Sequence, residues 1–157
     1  MSDEVPPGKD NGDPARHGGP QTTVALEGDS ANIALARRLA VDFLTRSQAE
    51  HGVKVTPRGM DLTRLVVSEL VTNAFKYAPG PALMDLRIDG DVIEVAVWDT
   101  DPVLPVARVA IPGRLGQHGL EIVVAVAQSF EARRETVGKR ITARIPLTDE
   151  ARGAPLL

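Results

Sequence analysis

Two short alternating segments constrain the fold of this chain more than any other feature. In ALMDLRID (82–89) and VIEVAVWD (92–99), apolar residues recur at every second position, which is the period of a strand with one buried face. The pair Asp89-Gly90 joins the segments and is a strong signal for a hairpin turn. An antiparallel hairpin is therefore predicted, and one of its faces must be covered. By parity, Asp99 at the end of the second strand points to that covered face.

Two helical segments ahead of the hairpin can provide the cover. The first is predicted to begin with Asp29 or Ser30 as its cap and to stop near Gly52, with apolar residues at helical spacing between them. The second is predicted from about Pro57 to Tyr77. Its apolar spine consists of Leu62, Val66 and Leu70.

The remaining segments complete an α+β pattern. TTVALE (22–27) has strand character, 100–116 is a long aperiodic loop, and a third helix is predicted over about 118–129. Strands at about 130–136 and 139–146 follow. The order β-α-α-β-β-loop-α-β-β predicts a two-layer sandwich with helices on one face of a mostly antiparallel sheet.

Composition limits the domain count and the class of function. Residues 1–20 hold eight prolines and glycines and are predicted to be a disordered tail. Residues 21–148 are predicted to form one domain, and 149–157 a short C-terminal tail. A net charge of −3 and only 3% aromatic residues argue against direct nucleic-acid binding. The absence of cysteine excludes thiol catalysis. No apolar run has the length of a membrane span, so we expect a cytoplasmic protein.

Three polar or glycine-rich features stand out against this frame. In SELVTNAFKYA (68–78), Glu69 and Asn73 are four residues apart, so a helix places both on one face about 6 Å apart along its axis. Asp99 ends a core-facing strand, and LGQHGLEIV (115–123) opens a helix after the long loop. Each feature alone has a simple structural explanation as a helix edge, a strand end or loop punctuation.

Together and in this order, the motifs resemble the Bergerat-fold (GHKL, histidine kinase-like) ATPase superfamily. This superfamily includes histidine-kinase catalytic domains, gyrase-type ATPases and anti-sigma factor serine/threonine kinases. The resemblance covers roughly residues 22–147. It is carried by SELVTNAFKYA, VAVWDTDPVLP (95–105), GQHGLEIV (116–123) and GKRITARIPL (138–147). The resemblance implies that the domain predicted over 21–148 is a histidine kinase-like ATP-binding domain.

The resemblance implies a role for each matching polar residue. Asn73 would bind a Mg²⁺ ion that bridges the ATP phosphates, and an amide oxygen is a hard ligand suited to that ion. Glu69 would be the base that orients or deprotonates the attacking hydroxyl. Asp99 would accept a hydrogen bond from the adenine amino group, and Lys76 would reach the phosphates.

The resemblance also assigns the glycine-rich segment and its surroundings. Gly116, Gly119 and Leu120 would form the phosphate-binding start of the third helix. Residues 100–116 would be the lid over the nucleotide. Thr142 on the closing strand is a further candidate for the adenine site.

Some residues depart from the family pattern. Asp101 stands where family members commonly have a glycine, and Gln117-His118 replaces one glycine of the glycine-rich motif. Glu121 adds negative charge beside the expected phosphate site. These departures leave open a non-catalytic module that uses the same fold to bind proteins.

Glu69 favours one branch of the superfamily. Histidine-kinase domains usually carry asparagine at that position, whereas anti-sigma kinases and gyrase-type ATPases carry glutamate; Lys76-Tyr77, in contrast, is typical of histidine kinases. A short chain without a transducer domain or a dimerisation helix pair most resembles an anti-sigma factor kinase. Such a protein would phosphorylate a serine on an anti-sigma factor antagonist, sequester a sigma factor and form a homodimer. A detached histidine-kinase catalytic domain is the alternative enzyme.

Overall fold

The computed structural model describes residues 19–77, 80–102, 104 and 117–149. The predicted order of elements is confirmed. The elements are β1 (Gln21–Leu26), α1 (Ala31–His51), α2 (Pro57–Tyr77), β2 (Ala82–Asp89), β3 (Val92–Asp99), α3 (Gln117–Val126), β4 (Ser129–Arg134) and β5 (Lys139–Pro146). The predicted terminal tails and lid lie almost entirely outside the described residues.

The five described strands form one sheet in the order β1-β2-β3-β5-β4, and every neighbouring pair is antiparallel. Alternate side chains of the three central strands are buried under the helices, as the period-2 pattern predicts. The core that they form with α1, α2 and α3 is continuous. The predicted α+β two-layer sandwich is therefore confirmed.

The start of α2 is fixed against the chain that follows β5. The Thr56 hydroxyl accepts a hydrogen bond from the Gly59 N–H at 2.9 Å, which caps the helix, and Pro57 occupies the first helical position, where its missing N–H costs nothing. The Thr56 N–H donates to the Leu147 carbonyl at 2.9 Å. A Cβ at position 59 would lie 2.6 Å from that carbonyl oxygen, so the close contact needs glycine.

Asp29 supplies the cap of α1. Its carboxylate accepts a hydrogen bond from the Asn32 N–H at 3.3 Å, whereas Ser30 makes no side-chain cap bond. The helix ends where predicted, with Gly52 at φ 67° and its N–H donating to the Ser47 carbonyl. Of the two cap candidates, the aspartate is therefore the one used.

The third helix and the strand after it are shorter than predicted. The helix stops at Val126 because the Gln128 N–H already donates to the Arg144 carbonyl at 2.7 Å and begins pairing with β5. The strand β4 stops at Arg134, where the Glu135 N–H donates to the Gly138 carbonyl and closes the turn. The helix therefore ends where pairing with β5 begins, and the strand ends where the turn to β5 begins. Both ends come earlier than the sequence pattern predicts.

The sheet face opposite the helices carries cross-strand ion pairs. Glu94 pairs with Arg87 and with Arg144, and Arg140 lies 3.8 Å from Asp85. These side chains are partly exposed, so each pair contributes only about 0–1 kcal/mol. The face is a polar, solvent-contacting surface.

Replacing Gly138 with alanine is expected to destabilise the fold by at least about 3 kcal/mol. Gly138 has φ 81°, and a Cβ there would lie 1.8 Å from the Asp99 carbonyl oxygen, so backbone would have to move. Gly90 is the matched control, since it has φ 66° but no atom within 4 Å of the place that a Cβ would occupy, and its alanine variant should lose only about 1 kcal/mol. Urea unfolding measures both. Equal losses at the two positions would contradict a role for the close contact.

Candidate functional site

Helix α2 turns Glu69 and Asn73 of SELVTNAFKYA towards the inside of the molecule. It packs against β3, β5 and α3. Asn73 lies on the buried side of the helix with only 7% of its surface exposed, and Glu69 is half-buried one turn earlier. The spacing of four residues therefore places an amide and a carboxylate on adjacent turns beside the sheet and the third helix.

The side-chain oxygen of Asn73 is buried and has no hydrogen-bond partner among the residues that the structure describes. A buried polar atom without a partner costs about 1–3 kcal/mol. Such an atom in a native protein is normally satisfied by an ordered water, an ion or a ligand. An amide oxygen held in this way is suited to accept a cation or a donor that comes from outside the chain.

Glu69 lies directly against the start of α3. A Cβ added at Gly119 would come within 2.1 Å of a Glu69 carboxylate oxygen. The glycine therefore leaves the space that this carboxylate occupies. The structure thus brings together Glu69 and Gly119, which are 50 positions apart in the sequence.

Replacing Gly119 with alanine is expected to move Glu69 without unfolding the protein. The atom that it would meet is the end of a flexible side chain, and alanine favours a helix over glycine by about 1 kcal/mol. We therefore expect an unfolding free energy within about 1 kcal/mol of the wild-type value and a loss of any activity that needs Glu69 in place. Urea unfolding and activity measurements are run on the same variant. In a Glu69→Ala background, Gly119→Ala should lower neither the unfolding free energy nor the remaining activity. A further loss of either would show that Gly119→Ala does not act through Glu69.

Asp99 lies on the inner face at the end of β3, as parity predicts, and it is paired with a lysine. Lys139 stands directly opposite it at the start of β5, and its ammonium nitrogen is 3.0 Å from each carboxylate oxygen. Asp99 is 1% exposed and Lys139 is 0% exposed. The Asp101 N–H also donates to the Asp99 carboxylate at 2.8 Å, and the Asp101 carbonyl accepts from Lys139 at 3.3 Å.

This ion pair is costly to open. Removing one partner of a buried pair typically costs about 3–5 kcal/mol, because the remaining charge stays buried. A single hydrogen bond to a charged acceptor contributes only about 1.5–3 kcal/mol. In the described structure, the Asp99 carboxylate is therefore committed to Lys139, and an adenine amino group would have to compete with an ammonium.

The other residues that were predicted for the site lie on the surface, in the core, on the opposite sheet face or outside the described residues. Lys76 is exposed in the last turn of α2, and Leu120 is buried in the core, so its side chain acts in packing. Gly116 lies outside the described residues. Thr142 lies on the sheet face opposite Asp99, where it lines a shallow cleft with charged residues such as Glu94. Successive side chains of a strand point to opposite faces, so Thr142 lies on the other face of the sheet from Lys139 and Asp99.

Lys139 is the site residue that the sequence interpretation missed. Lys139 lies two residues before the buried Ile141, so it points to the same inner face of β5. The alternation of side chains along β3 placed Asp99 on that face in the same way. The signal was present in the alternation of GKRITARIPL. Its partner could not be identified, since that depends on the register between β3 and β5.

The implied ATP·Mg²⁺ group fits one end of this site and not the other. No group of three or more His, Asp or Glu side chains within the described ranges could hold a metal ion by itself. An ion at Asn73 would therefore take most of its ligands from phosphates and water, as Mg²⁺ commonly does, and the unpartnered oxygen fits that use. The Asp99 carboxylate already accepts from Lys139 and from the Asp101 N–H and is 1% exposed, so it fits poorly as an acceptor for adenine.

Two solved structures are similar to this chain, and the first of them supports the fold. The chain superposes on a solved structure of the RsbU and RsbW domains of Rv1364c from Mycobacterium tuberculosis with a TM-score of 0.61 and 16% identity, over 82% of this chain and 32% of that one. A histidine kinase domain from the blue-light activated histidine kinase EL346 of Erythrobacter litoralis matches with a TM-score of 0.46 and 19% identity, over 77% of this chain and 62% of that one.

No helix among the described residues is both long and apolar enough to cross a membrane.

No curated protein sequence matches the chain significantly. The family model of the histidine kinase-like ATPase domain matches residues 26–145, which is most of the chain. The chain therefore belongs to the histidine kinase-like ATPase domain family.

Proposed function

We propose that the protein is a cytoplasmic, ATP·Mg²⁺-dependent serine/threonine kinase of the anti-sigma factor type. It phosphorylates a serine on an antagonist protein and sequesters a sigma factor when the antagonist is unavailable. The observation that carries this proposal is the position of Glu69, whose carboxylate lies against Gly119. It is one helical turn from the Asn73 side-chain oxygen, which has no hydrogen-bond partner in the described part of the chain. A base, a cation ligand and a helix start then lie at one place.

Each residue has a distinct task in this proposal. ATP, when bound with Mg²⁺, supplies the phosphoryl group. Glu69 accepts the proton of the attacking serine hydroxyl, and a carboxylate is suited to this because it is an acceptor at neutral pH. Asn73 holds the cation through its side-chain oxygen. The start of α3 at Gly119 allows backbone N–H groups to approach an anion.

Phosphoryl transfer from labelled ATP tests the reaction. Wild-type protein is incubated with Mg²⁺, millimolar ATP and candidate antagonist proteins, and acid-stable phosphoserine on the antagonist is the expected product. Acid-labile phosphohistidine would instead favour a detached histidine-kinase catalytic domain. Absence of transfer to any antagonist that binds the protein would contradict the kinase proposal.

A non-catalytic protein-binding module is the second candidate. The buried ion pair between Asp99 and Lys139 favours it, because Lys139 already holds the carboxylate that the family resemblance assigns to the adenine amino group. Calorimetry with ATP·Mg²⁺ separates the two candidates. No heat of binding at millimolar nucleotide would favour the module.

Replacing Asn73 with leucine should weaken nucleotide binding without weakening the fold. Leucine has a similar volume and removes a buried polar atom without a partner in the described structure, so we expect an unfolding free energy within about 1 kcal/mol of wild type, or higher. Mg²⁺-dependent ATP affinity should fall at least about 10-fold, since the cation loses a ligand. Urea unfolding and calorimetry measure the two effects. A strongly destabilised variant, or one with unchanged Mg²⁺-dependent affinity, would contradict the assignment.

A further inference from the structure

We propose that Lys139 is a specificity-determining residue that fills the base subsite, so that the protein does not select adenine through Asp99. The inference concerns the same nucleotide site as the proposed function and rests on that site being used. It predicts a nucleoside-triphosphate ligand that is recognised by its phosphates and metal, with little discrimination among bases.

Several oxygens of the described residues hold the Lys139 ammonium. An ammonium has three N–H donors, and the oxygens within 3.3 Å of it include both carboxylate oxygens of Asp99 and the carbonyl of Asp101. The side chain is fully buried and starts from a residue in register with Asp99 in the sheet. Lys139 is thus a built part of the subsite, fixed by strand pairing.

The backbone around the pair holds it from two sides. The Asp101 N–H orients the carboxylate from the chain after β3. On the other side, Gly138 approaches the Asp99 carbonyl too closely for any side chain, so the turn before Lys139 lies directly on the end of β3. The Trp98 indole N–H donates to the Val137 carbonyl at 2.8 Å and ties the same turn to β3. Withdrawal of the ammonium would therefore need this corner of the sheet to open.

The relative strengths decide which interaction prevails. Leaving one charge of a buried pair without its partner lowers an equilibrium constant by about 100-fold or more, whereas one hydrogen bond from a base amino group to a charged acceptor contributes about 10- to 100-fold. A base that had to displace the ammonium would not recover this loss. The ion pair therefore persists when a nucleotide binds. Affinity then depends on the Asn73 end of the site, which does not distinguish a base with an amino group from one with a carbonyl.

The first test uses the wild-type protein with ATP and inosine triphosphate, which carries a carbonyl where adenine has its amino group. Calorimetry with Mg²⁺ should give dissociation constants within about threefold of each other. Binding of neither nucleotide at millimolar concentration would overturn the inference, because it requires a site that binds a nucleotide. A site that reads the amino group would reject the analogue strongly. A preference for ATP of about 30-fold or more would overturn the inference.

The second test replaces Lys139 with threonine, with Lys54→Thr as the matched control because Lys54 is exposed and remote in sequence from this corner. The Lys139 variant should bind ATP at least about 10-fold more tightly than wild type and gain a preference over inosine triphosphate, and the control should do neither. Circular dichroism confirms that each variant is folded. A folded Lys139 variant with unchanged ATP affinity would overturn the inference.

The two tests remain separate from the kinase assay. If no antagonist is phosphorylated, the kinase proposal fails, but the affinity ratio between the two nucleotides is still measured. If Lys139→Thr does not fold, the wild-type ratio alone decides. If transfer occurs with a strong preference for ATP, the kinase proposal stands and the inference about Lys139 fails.

Discussion

Replacing Glu69 with glutamine is expected to lower the rate of phosphoryl transfer at least about 100-fold, because general-base catalysis typically contributes 10²- to 10⁴-fold. Glutamine has nearly the same shape as glutamate, so it can occupy the space beside Gly119, but its amide cannot accept a proton at neutral pH. ATP·Mg²⁺ affinity should stay within about threefold of wild type. Initial rates and calorimetry measure the two quantities on the same preparation.

The control for this variant is Glu50→Gln, on the exposed surface of α1. It removes the same charge from the molecule and should leave the transfer rate unchanged. A Glu69→Gln protein that transfers phosphate as fast as Glu50→Gln would show that Glu69 is not the base. A loss of affinity and rate together would instead indicate that Glu69 acts in nucleotide binding.

Replacing Asp99 with alanine is expected to lower the unfolding free energy by about 3–5 kcal/mol, since it leaves the Lys139 ammonium buried without its carboxylate. For a chain of this size the melting temperature should fall by roughly 6–20 °C. Urea unfolding gives the free energy directly. Lys139→Met should be comparably destabilising, because the carboxylate then remains without its ammonium.

A double variant separates the ion pair from simple packing. In Asp99→Leu/Lys139→Met, both charges are replaced by apolar side chains, and most of the lost stability should return, as it does for other buried pairs. The exposed pair of Arg140 and Asp85 provides the comparison, and Arg140→Met should cost less than about 1 kcal/mol. If Asp99→Ala costs no more than Arg140→Met, the buried pair does not stabilise the fold.

Features that depend on local sequence were predictable. The bounds of the hairpin strands and of α2 follow from period, turn residues and the proline at the helix start, and the structure reproduces them. The direction of Asp99 follows from parity within its own strand. In each case the decisive contacts lie within one element or across one short turn.

Features that depend on pairing between distant strands were not predictable. Asp99 meets Lys139 because β3 and β5 are neighbours in one register, although the two residues are 40 positions apart. The sequence of either strand alone does not determine how the two strands align. The position of Thr142 also depends on this pairing, and the alternation within β5 places it on the face opposite Asp99.

One strand sets the distance between the two ends of the site. The first residue of β5, Lys139, holds Asp99, and Leu147 immediately after its last residue holds the start of α2 through Thr56. The helix that carries Asn73 is thus positioned by the same strand that holds the acidic residue. An insertion or deletion within β5 would alter the spacing of both site ends at once, and a one-residue slip would turn Lys139 to the solvent side. The length of β5 therefore fixes the separation between its contact with Asp99 and its contact with the start of α2.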